Sequence, residues 1–509
     1  NIYKMKKYGN ISTGSVESSL AAEELLKFGG NAFDAAIGAV FVSMSSEFAL
    51  TGAFGGGILM GIENNNSPFV YDFFVDCPSK NNINKEFVNV DVDFGETKQS
   101  FYVGRGSIAT PGNIAGLIDI HKKHGKLPLS DILKPAIDYA KNGVTMSSYQ
   151  SYILKLIEPI ITYDPSCKEL FYKNNQLIQK GDVFTNHAFV DFLNILIHHG
   201  YKYFYKGPGL ELIFKYLNDK SNLTRNDFIN YSVYKRKPIE LEFNNHTIYS
   251  NPAPSYGGTL ITFLLKLIKD IKIKNYDLDN LIHAMNLSSI VRNEVCINPN
   301  DENDISQALN KKIFSKYQKI FNNQSEINFS NPLNGFGSTT HLSILDTNGN
   351  AVSITTTNGE GCGSIIPEYG IMMNNMLGED DLNPFGFHQW DKKRRLPTMM
   401  SPTIITKNSK PQYILGSGGS NRIRSANIQV ILNLLRNNMA LHQAIDSPRI
   451  HLEGKTLFYE PGIKISKNIS EDVILNAFNE KNLFFGGVNA VSRDDAIGDH
   501  RRGGHGIQC

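Results

Sequence analysis

A mixed α+β fold, with two sheets packed face to face and helices outside them, is predicted by three features of the chain. Helical periodicity opens the sequence, in "VESSLAAEELLKFGG". Two runs that alternate apolar with polar residues, "HLSILD" and "NAVSITTT", flank an Asp-Thr-Asn-Gly turn and give a clear hairpin signal. Two more strand-like pieces, "SPTIIT" and "PQYILG", then lead into the long helical run "RIRSANIQVILNLLRNN".

The elements follow in order. Gly29 and Gly30 end the first helix as a C-terminal cap would, and "NAFDAAIGAVFVSM" starts a second one, rich in small residues suited to close packing. "GGGILMGI" and "SPFVYDFFV" read as strands joined by an Asn-rich turn. Residues 112–231 are mostly helical, most clearly in "SDILKPAIDYAKNG", with Ser130 as the expected cap and Gly143 as the stop. Strands near Ile239 and Ile248 precede helices at "GGTLITFLLKLIKDI" and "LDNLIHAMNLSSIVRNEV". Residues 299–338, rich in Asn and Ser, read as a polar loop.

The chain of 509 residues has no Gly/Ser-rich or Pro-rich linker, so one compact unit is expected. Its 51 basic and 49 acidic residues leave a formal charge of +2 without a basic stripe, which argues against nucleic acid as a partner. Cys77, Cys167, Cys296, Cys362 and Cys509 are far apart and without C-x-x-C spacing, so neither a disulfide framework nor a zinc site is suggested. Unpaired thiols lean toward a cytoplasmic setting, with a periplasmic or secreted one left open. The longest apolar stretch contains Glu47 and a glycine run and reads as a buried helix plus turn, not a membrane span. The chain opens on Asn1, so an upstream segment is expected to have been removed or left out.

Chemistry enters at Gly337-Ser338-Thr339. A threonine hydroxyl is not ionised at neutral pH and needs a base beside it to act as nucleophile. If the threonine is the first residue of a chain, its own α-amino group, with a reference pKa of about 7.7–8, supplies that base. An internal threonine reaches this state if its hydroxyl attacks the preceding carbonyl and the resulting ester is hydrolysed. Small residues such as Gly337 and Ser338 ease that geometry. A Thr pair opening a strand is also what β-propensity alone produces.

The rest of the chain decides between these readings. "GGNAFDAAIG" at 29–38, "TGAFGGGILM" at 51–60, "YKGPG" at 205–209, "PAPSYGG" at 252–258, "STTHLSILDTNGNAVSITTT" at 338–357, "GIMMNN" at 370–375, "MSPTII" at 400–405 and "SPRIHLEG" at 447–454 occur in this order. Together they resemble the γ-glutamyltranspeptidase family of N-terminal nucleophile hydrolases, over about residues 30–505. The resemblance implies a four-layer αββα sandwich and self-cleavage before Thr339. It also implies a heterodimer of the fragments 1–338 and 339–509, and transfer of a γ-glutamyl-like group from a small amide or peptide to water or an amine, as in glutathione hydrolases. No metal or organic cofactor and no membrane span is implied.

Site residues follow by motif. Thr339 is the nucleophile, Thr357 the second threonine that bonds it, and Gly419 and Ser420 of "GSGGSNRI" stand where the family has an oxyanion-binding glycine pair. On the amine side Glu379 is the ungapped match to the family's acid, with Asp380 beside it, while Met376 replaces a polar contact and Gly359 an asparagine. On the carboxylate side Phe74 falls where the family has an arginine, and Thr398 and Met399 replace a serine pair. Arg105 and the "KKRR" run at 392–395 are the candidate substitute cations. Between Glu379 and Thr398 the chain is shorter than in members that carry a lid, which implies a more open site and larger substrates. Three alternatives remain at this stage: an acylase for another side-chain amide such as a glutaryl amide, a nucleotide-binding protein using "GAFGGG" and "GSGGS", and an unprocessed, inactive homologue.

Overall fold

A computed structural model describes residues 6–93, 98–271, 277–295, 305–323, 329, 337–390, 394–466 and 472–509. Ser15 caps the first helix, Val16–Lys27, by accepting the Ser18 N–H, and Gly29 follows its end at φ +107°. Asn31 and Asp34 form a capping box on the next helix, Ala32–Ser46, all of whose residues are buried. Its Ala32 N–H also donates to Asp346, in the turn of the predicted hairpin. That turn is tied by the same carboxylate, which accepts from the N–H groups of Asn348 and Asn350.

The hairpin pairs Thr340–Asp346 with Ala351–Thr357, Thr340 opposite Thr356. It lies in the middle of a seven-stranded antiparallel sheet. The order of strands is Tyr234–Arg236, Phe69–Phe73, Gly56–Ile62, Ala351–Thr357, Thr340–Asp346, Gly9–Thr13 and His505–Gln508. Residues from both sides of position 338 are therefore interleaved in one sheet. A six-stranded sheet contains Ile239–Phe243, His246–Ser250, Thr403–Lys407, Lys410–Gly418, Gly487–Ser492 and Ala496–Ile497 in that order.

Alternation along the hairpin sorts its side chains as predicted, but the polar set does not face water. Leu342, Ile344, Val352 and Ile354 join the helix Ala32–Ser46 in an apolar core. His341, Ser343, Ser353 and Thr355 are buried on the other face, against the second sheet. There Ser343 donates to the Asn489 carbonyl at 3.0 Å and Ser353 to the Leu415 carbonyl at 2.9 Å. The His341 ring bridges Thr355 at 2.8 Å and Ser343 at 2.9 Å. Gly416 fits over that ring only because it has no side chain, since a Cβ there would lie 2.3 Å from the imidazole. The helices Tyr256–Ile268 and Arg422–Leu435 share a second apolar core with the six-stranded sheet.

Two expectations need correction. Ser130 is not the cap of its helix, which runs Leu129–Asn142 with Pro128 preceding it; Gly143 does end it, at φ +99°. Within 299–338, expected as loop, Lys311–Asn323 is an amphipathic helix that buries Phe314, Tyr317 and Phe321 on one side. The spacing of those aromatics was the signal, masked by the surrounding Asn and Lys. Ile305–Leu309 is a short 3-10 helix as well, and positions 299–304, 324–328 and 330–336 lie outside the described residues. Cys167, Cys362 and Cys509 are free thiols, Cys77 is buried, and Cys296 lies outside the described residues. No helix among the described residues is long and apolar enough to cross a membrane.

Burial lowers the His341 imidazole from its ordinary 6.5 to about 3. The unfolded chain thus takes up a proton that the folded one refuses, so this stabilisation is complete above about pH 6.5 and is lost progressively toward about pH 3. Unfolding midpoints should fall on acidification from about pH 7 to about pH 4. His341→Gln should lower the midpoint near neutrality and flatten that fall, which thermal unfolding followed by circular dichroism will register.

Candidate active site

Thr339 is the last residue before the central strand Thr340–Asp346, and it is buried. The second sheet reaches it through Gly418, where a Cβ would stand 2.1 Å from the Thr339 carbonyl oxygen. Ser338, on the N-terminal side of the bond to Thr339, is gripped through its carbonyl, its N–H and its hydroxyl. Thr357 donates its hydroxyl to the Ser338 carbonyl oxygen at 2.5 Å and accepts the Gly359 N–H at 3.0 Å. Glu360 accepts the Ser338 N–H at 2.9 Å and the Ser338 hydroxyl at 2.7 Å. Just beyond Thr339, the Thr340 hydroxyl donates to Glu47 at 2.7 Å.

Gly337 and Thr339 form part of the wall of a cavity of about 20 Å³, room for about one water. Phe74, Thr357, Glu379, Thr398, Met399 and Ser420 line it as well, so the structure brings together most of the residues expected at the site. The polar wall is acidic. Glu379 accepts the Glu360 N–H at 3.0 Å, and Asp381 accepts the Ser420 hydroxyl. Burial pushes the Glu360 carboxyl up to about 7; burial, with Asp381 and Glu360 nearby, holds Glu379 well above the carboxylate range. The facing wall is apolar: Phe74, Met376 and Met399.

Gly419 and Ser420 form the turn between the strand Lys410–Gly418 and the helix Arg422–Leu435, at φ +118° and φ +50°. A serine in the left-handed region carries strain that glycine would not. Its hydrogen bond to Asp381 offsets that strain, and Arg292 braces the arrangement by donating to the Asp381 carbonyl at 2.9 Å and to Asn421 at 3.0 Å.

Other expected residues stand elsewhere. Asp380 is exposed, and its neighbour Asp381 lines the cavity instead, because the short turn Asp380–Leu382 directs only one of the two inward. Arg105 lies over the Tyr216 ring, 3.9 Å from both Glu86 and Asp164, and is not part of the cavity wall. Arg395, from the 392–395 run, is buried in bonds to Asp72 and Asp76 at 2.7 Å and so is a structural brace. Lys392 and Lys393 lie outside the described residues. Gly359 adopts φ +62°, and a side chain there would come within 2.2 Å of Asn375 and Glu379. Glu360, Asp381 and Asn375, which accepts the Glu360 N–H at 2.8 Å, were missed by sequence reasoning. The one available signal was an acid set between glycines in "NGEGCG", with no cation near it in sequence.

The profile of the Gamma-glutamyltranspeptidase family matches residues 18–509. The chain belongs to this family. As a γ-glutamyltranspeptidase family member it is an enzyme of the N-terminal nucleophile hydrolase type, a hydrolase or acyltransferase. It is 26% identical to the glutathione hydrolase proenzyme of Escherichia coli over 92% of this chain and 84% of that one. It is 28% identical to the capsule biosynthesis protein CapD proenzyme of Bacillus anthracis over 98% of this chain and 92% of that one. In fold it matches a cephalosporin acylase from Bacillus halodurans with a TM-score of 0.83 at 20% identity, covering 100% of this chain and 98% of that one.

The turn makes a sharp prediction for this family member. Ser420→Gly should keep at least about half of the activity, because glycine accepts the backbone shape at no steric cost. Ser420→Val should lose about 100-fold or more in kcat/KM, since a β-branched residue is an outlier at positive φ and breaks the link to Asp381. Steady-state kinetics on the two purified variants, with unfolding midpoints as control, will check this.

Proposed function

We propose that the chain is a zymogen that cuts itself between Ser338 and Thr339 and then uses Thr339 as the nucleophile of a γ-glutamyl-type amidohydrolase or acyltransferase. The observation that carries this reading is the state of the cavity. Gly337 and Thr339 both stand in its wall, it has room for about one water, and Thr357 already polarises the Ser338 carbonyl. An uncut chain thus fills its own acyl site, and cutting would free the site and create the α-amine in one event.

In this reading the fold is the four-layer αββα sandwich of the superfamily. The fragments 1–338 and 339–509 remain a heterodimer because strands of both are hydrogen-bonded neighbours in one sheet. Thr339 attacks the amide carbon of a small amide or peptide donor. Its amine takes the hydroxyl proton and passes it to the leaving group, and the N–H groups of Gly419 and Ser420 hold the oxyanion. Thr357 orients the nucleophile. Glu379 and Asp381 receive the donor's amino group, and water or an amine then takes the acyl group.

The apolar wall favours a second reading. A donor carboxylate facing Phe74 and Met399 would be desolvated without a paired cation, which is costly. An acylase for a side-chain amide with a larger, less anionic end fits that wall better than glutamate does.

Two outcomes test these readings. Wild type should run as two fragments on a denaturing gel. Thr339→Ala should stay one inactive chain, and Thr339→Ser should cut more slowly because the β-methyl no longer fixes the rotamer; fully active but uncut protein would overturn the proposal. Phe74→Arg should raise kcat/KM on a γ-glutamyl anilide by about 10- to 100-fold, the worth of one charge-assisted hydrogen bond. Efficient turnover of that donor by the unmodified protein would instead show that its carboxylate is held elsewhere.

A further inference from the structure

Two of the atoms that fix Ser338 belong to neither threonine. Its N–H and its hydroxyl both end on the Glu360 carboxylate, one on each oxygen, at 2.9 and 2.7 Å. The Glu360 N–H is itself held by Asn375 and Glu379, so the carboxylate is presented from a braced turn. With the carbonyl fixed by Thr357, every polar group of Ser338 has a partner.

We propose that Glu360 is the positioning residue for self-cleavage, gripping Ser338 so that its carbonyl is held for attack, and that its charge then helps to expel the new C-terminus. This rests on the reading of the chain as a zymogen. Thr339 Oγ bonds to the Ser338 carbonyl carbon as the C–N bond breaks, and the hydroxyl proton goes to the departing nitrogen. Water hydrolyses the ester, leaving a carboxylate on Ser338 and a free hydroxyl and amine on Thr339. That carboxylate forms on the gripped residue itself, whose neighbours Gly337 and Thr339 share a cavity wall with Glu379 and Asp381. The same anion that held a neutral peptide therefore repels its product.

Glu360 is faced by Glu379 and Asp381 from one turn, by Arg422 and Arg502, and by Tyr149. The ionised form accepts both Ser338 bonds more strongly and alone repels the product carboxylate; burial pushes this carboxyl up to about 7, so cutting should speed up as pH rises through about 7.

The test follows the full chain after cell-free synthesis, with fragments resolved on denaturing gels across pH. Glu360→Gln should slow cutting by about 10- to 100-fold and lose the pH dependence near 7, Glu360→Asp should partly restore it, and Ser338→Ala should slow it less. The double variant Ser338→Ala/Glu360→Gln should be no slower than Glu360→Gln alone, because both remove one grip. A synthetic peptide ending in Gly-Phe-Gly-Ser should inhibit cut Glu360→Gln more strongly than cut wild type. Wild-type rate and pH profile in Glu360→Gln, additive effects in the double variant, or equal inhibition by the peptide would each overturn the proposal. If Glu360→Gln does not fold, Ser338→Ala at wild-type rate does so alone. Uncut wild type would remove the zymogen reading itself, whereas cut wild type with an indifferent Glu360 removes only the grip.

Discussion

The close approach of the two sheets at the Thr339 strand governs the rest of this molecule. Side chains of ordinary size cannot pass between Thr339 and the Gly416–Gly418 stretch, where added Cβ atoms would meet the Thr339 carbonyl and the His341 ring at 2.1 and 2.3 Å. The facing positions are therefore glycine on one sheet and Ser, Thr and a neutral His on the other. Those polar groups are buried, so each needs a partner; Ser343 and Ser353 find theirs across the two sheets, and the His341 ring bonds Thr355 and Ser343 within its own. A layer of this kind is stiffer and more specific in register than an apolar one, because a slipped strand would leave hydroxyls unpaired. It anchors the peptide bond ahead of Thr340 on a rigid base.

Around that base the charge distribution is uneven. Glu47, Glu360, Glu379 and Asp381 are all buried near one strand end, and burial raises each of them. Such a cluster is unfavourable unless it is used, since every ionised carboxylate raises its neighbours. Here Thr340, Ser338 and Ser420 hydroxyls and a backbone N–H occupy the acids, with Arg292 bracing from behind. On the proposed function, an acid-lined cavity with Phe74, Met376 and Met399 also in its wall would select for a donor with a cationic or hydrogen-bond-donating end and an apolar or uncharged remainder. Arg292, Arg422 and Arg502 offset part of this charge, whereas the two cations that the sequence offered are held elsewhere: Arg395 by Asp72 and Asp76, and Arg105 between Glu86 and Asp164.

On the proposed function, maturation and substrate specificity are linked through the same few atoms. The cavity proposed to receive an acyl donor is lined by Gly337 and Thr339, on either side of Ser338, so what holds Ser338 would also shape what can follow it. Serine at position 420 illustrates how such a site tolerates departures from its family. The backbone takes the required left-handed shape because Asp381, the acid that sequence matching passed over, offsets the strain.

Local pattern in the sequence was enough to establish the capped helices at Val16–Lys27 and Ala32–Ser46, the hairpin at 340–357 and the strand-to-helix turn at 418–422. Ordered motifs were enough to single out Thr339, Thr357, Ser420, Glu379, Phe74, Thr398 and Met399, which come from distant segments and meet at one cavity, and Gly419, which adjoins it in the turn before Ser420. Those signals are carried by periodicity, capping and glycine placement, all properties of neighbouring residues. What the tertiary structure alone decided was which polar atoms face one another. The hairpin's polar face meets a second sheet and not water, Asp381 and not Asp380 turns inward, Arg395 is locked away from the site, and Glu360 closes on Ser338. Each of these depends on a turn's exact rotation or on a contact between segments tens to hundreds of residues apart. A one-residue change in such a turn reverses the outcome without altering the local pattern that sequence can display.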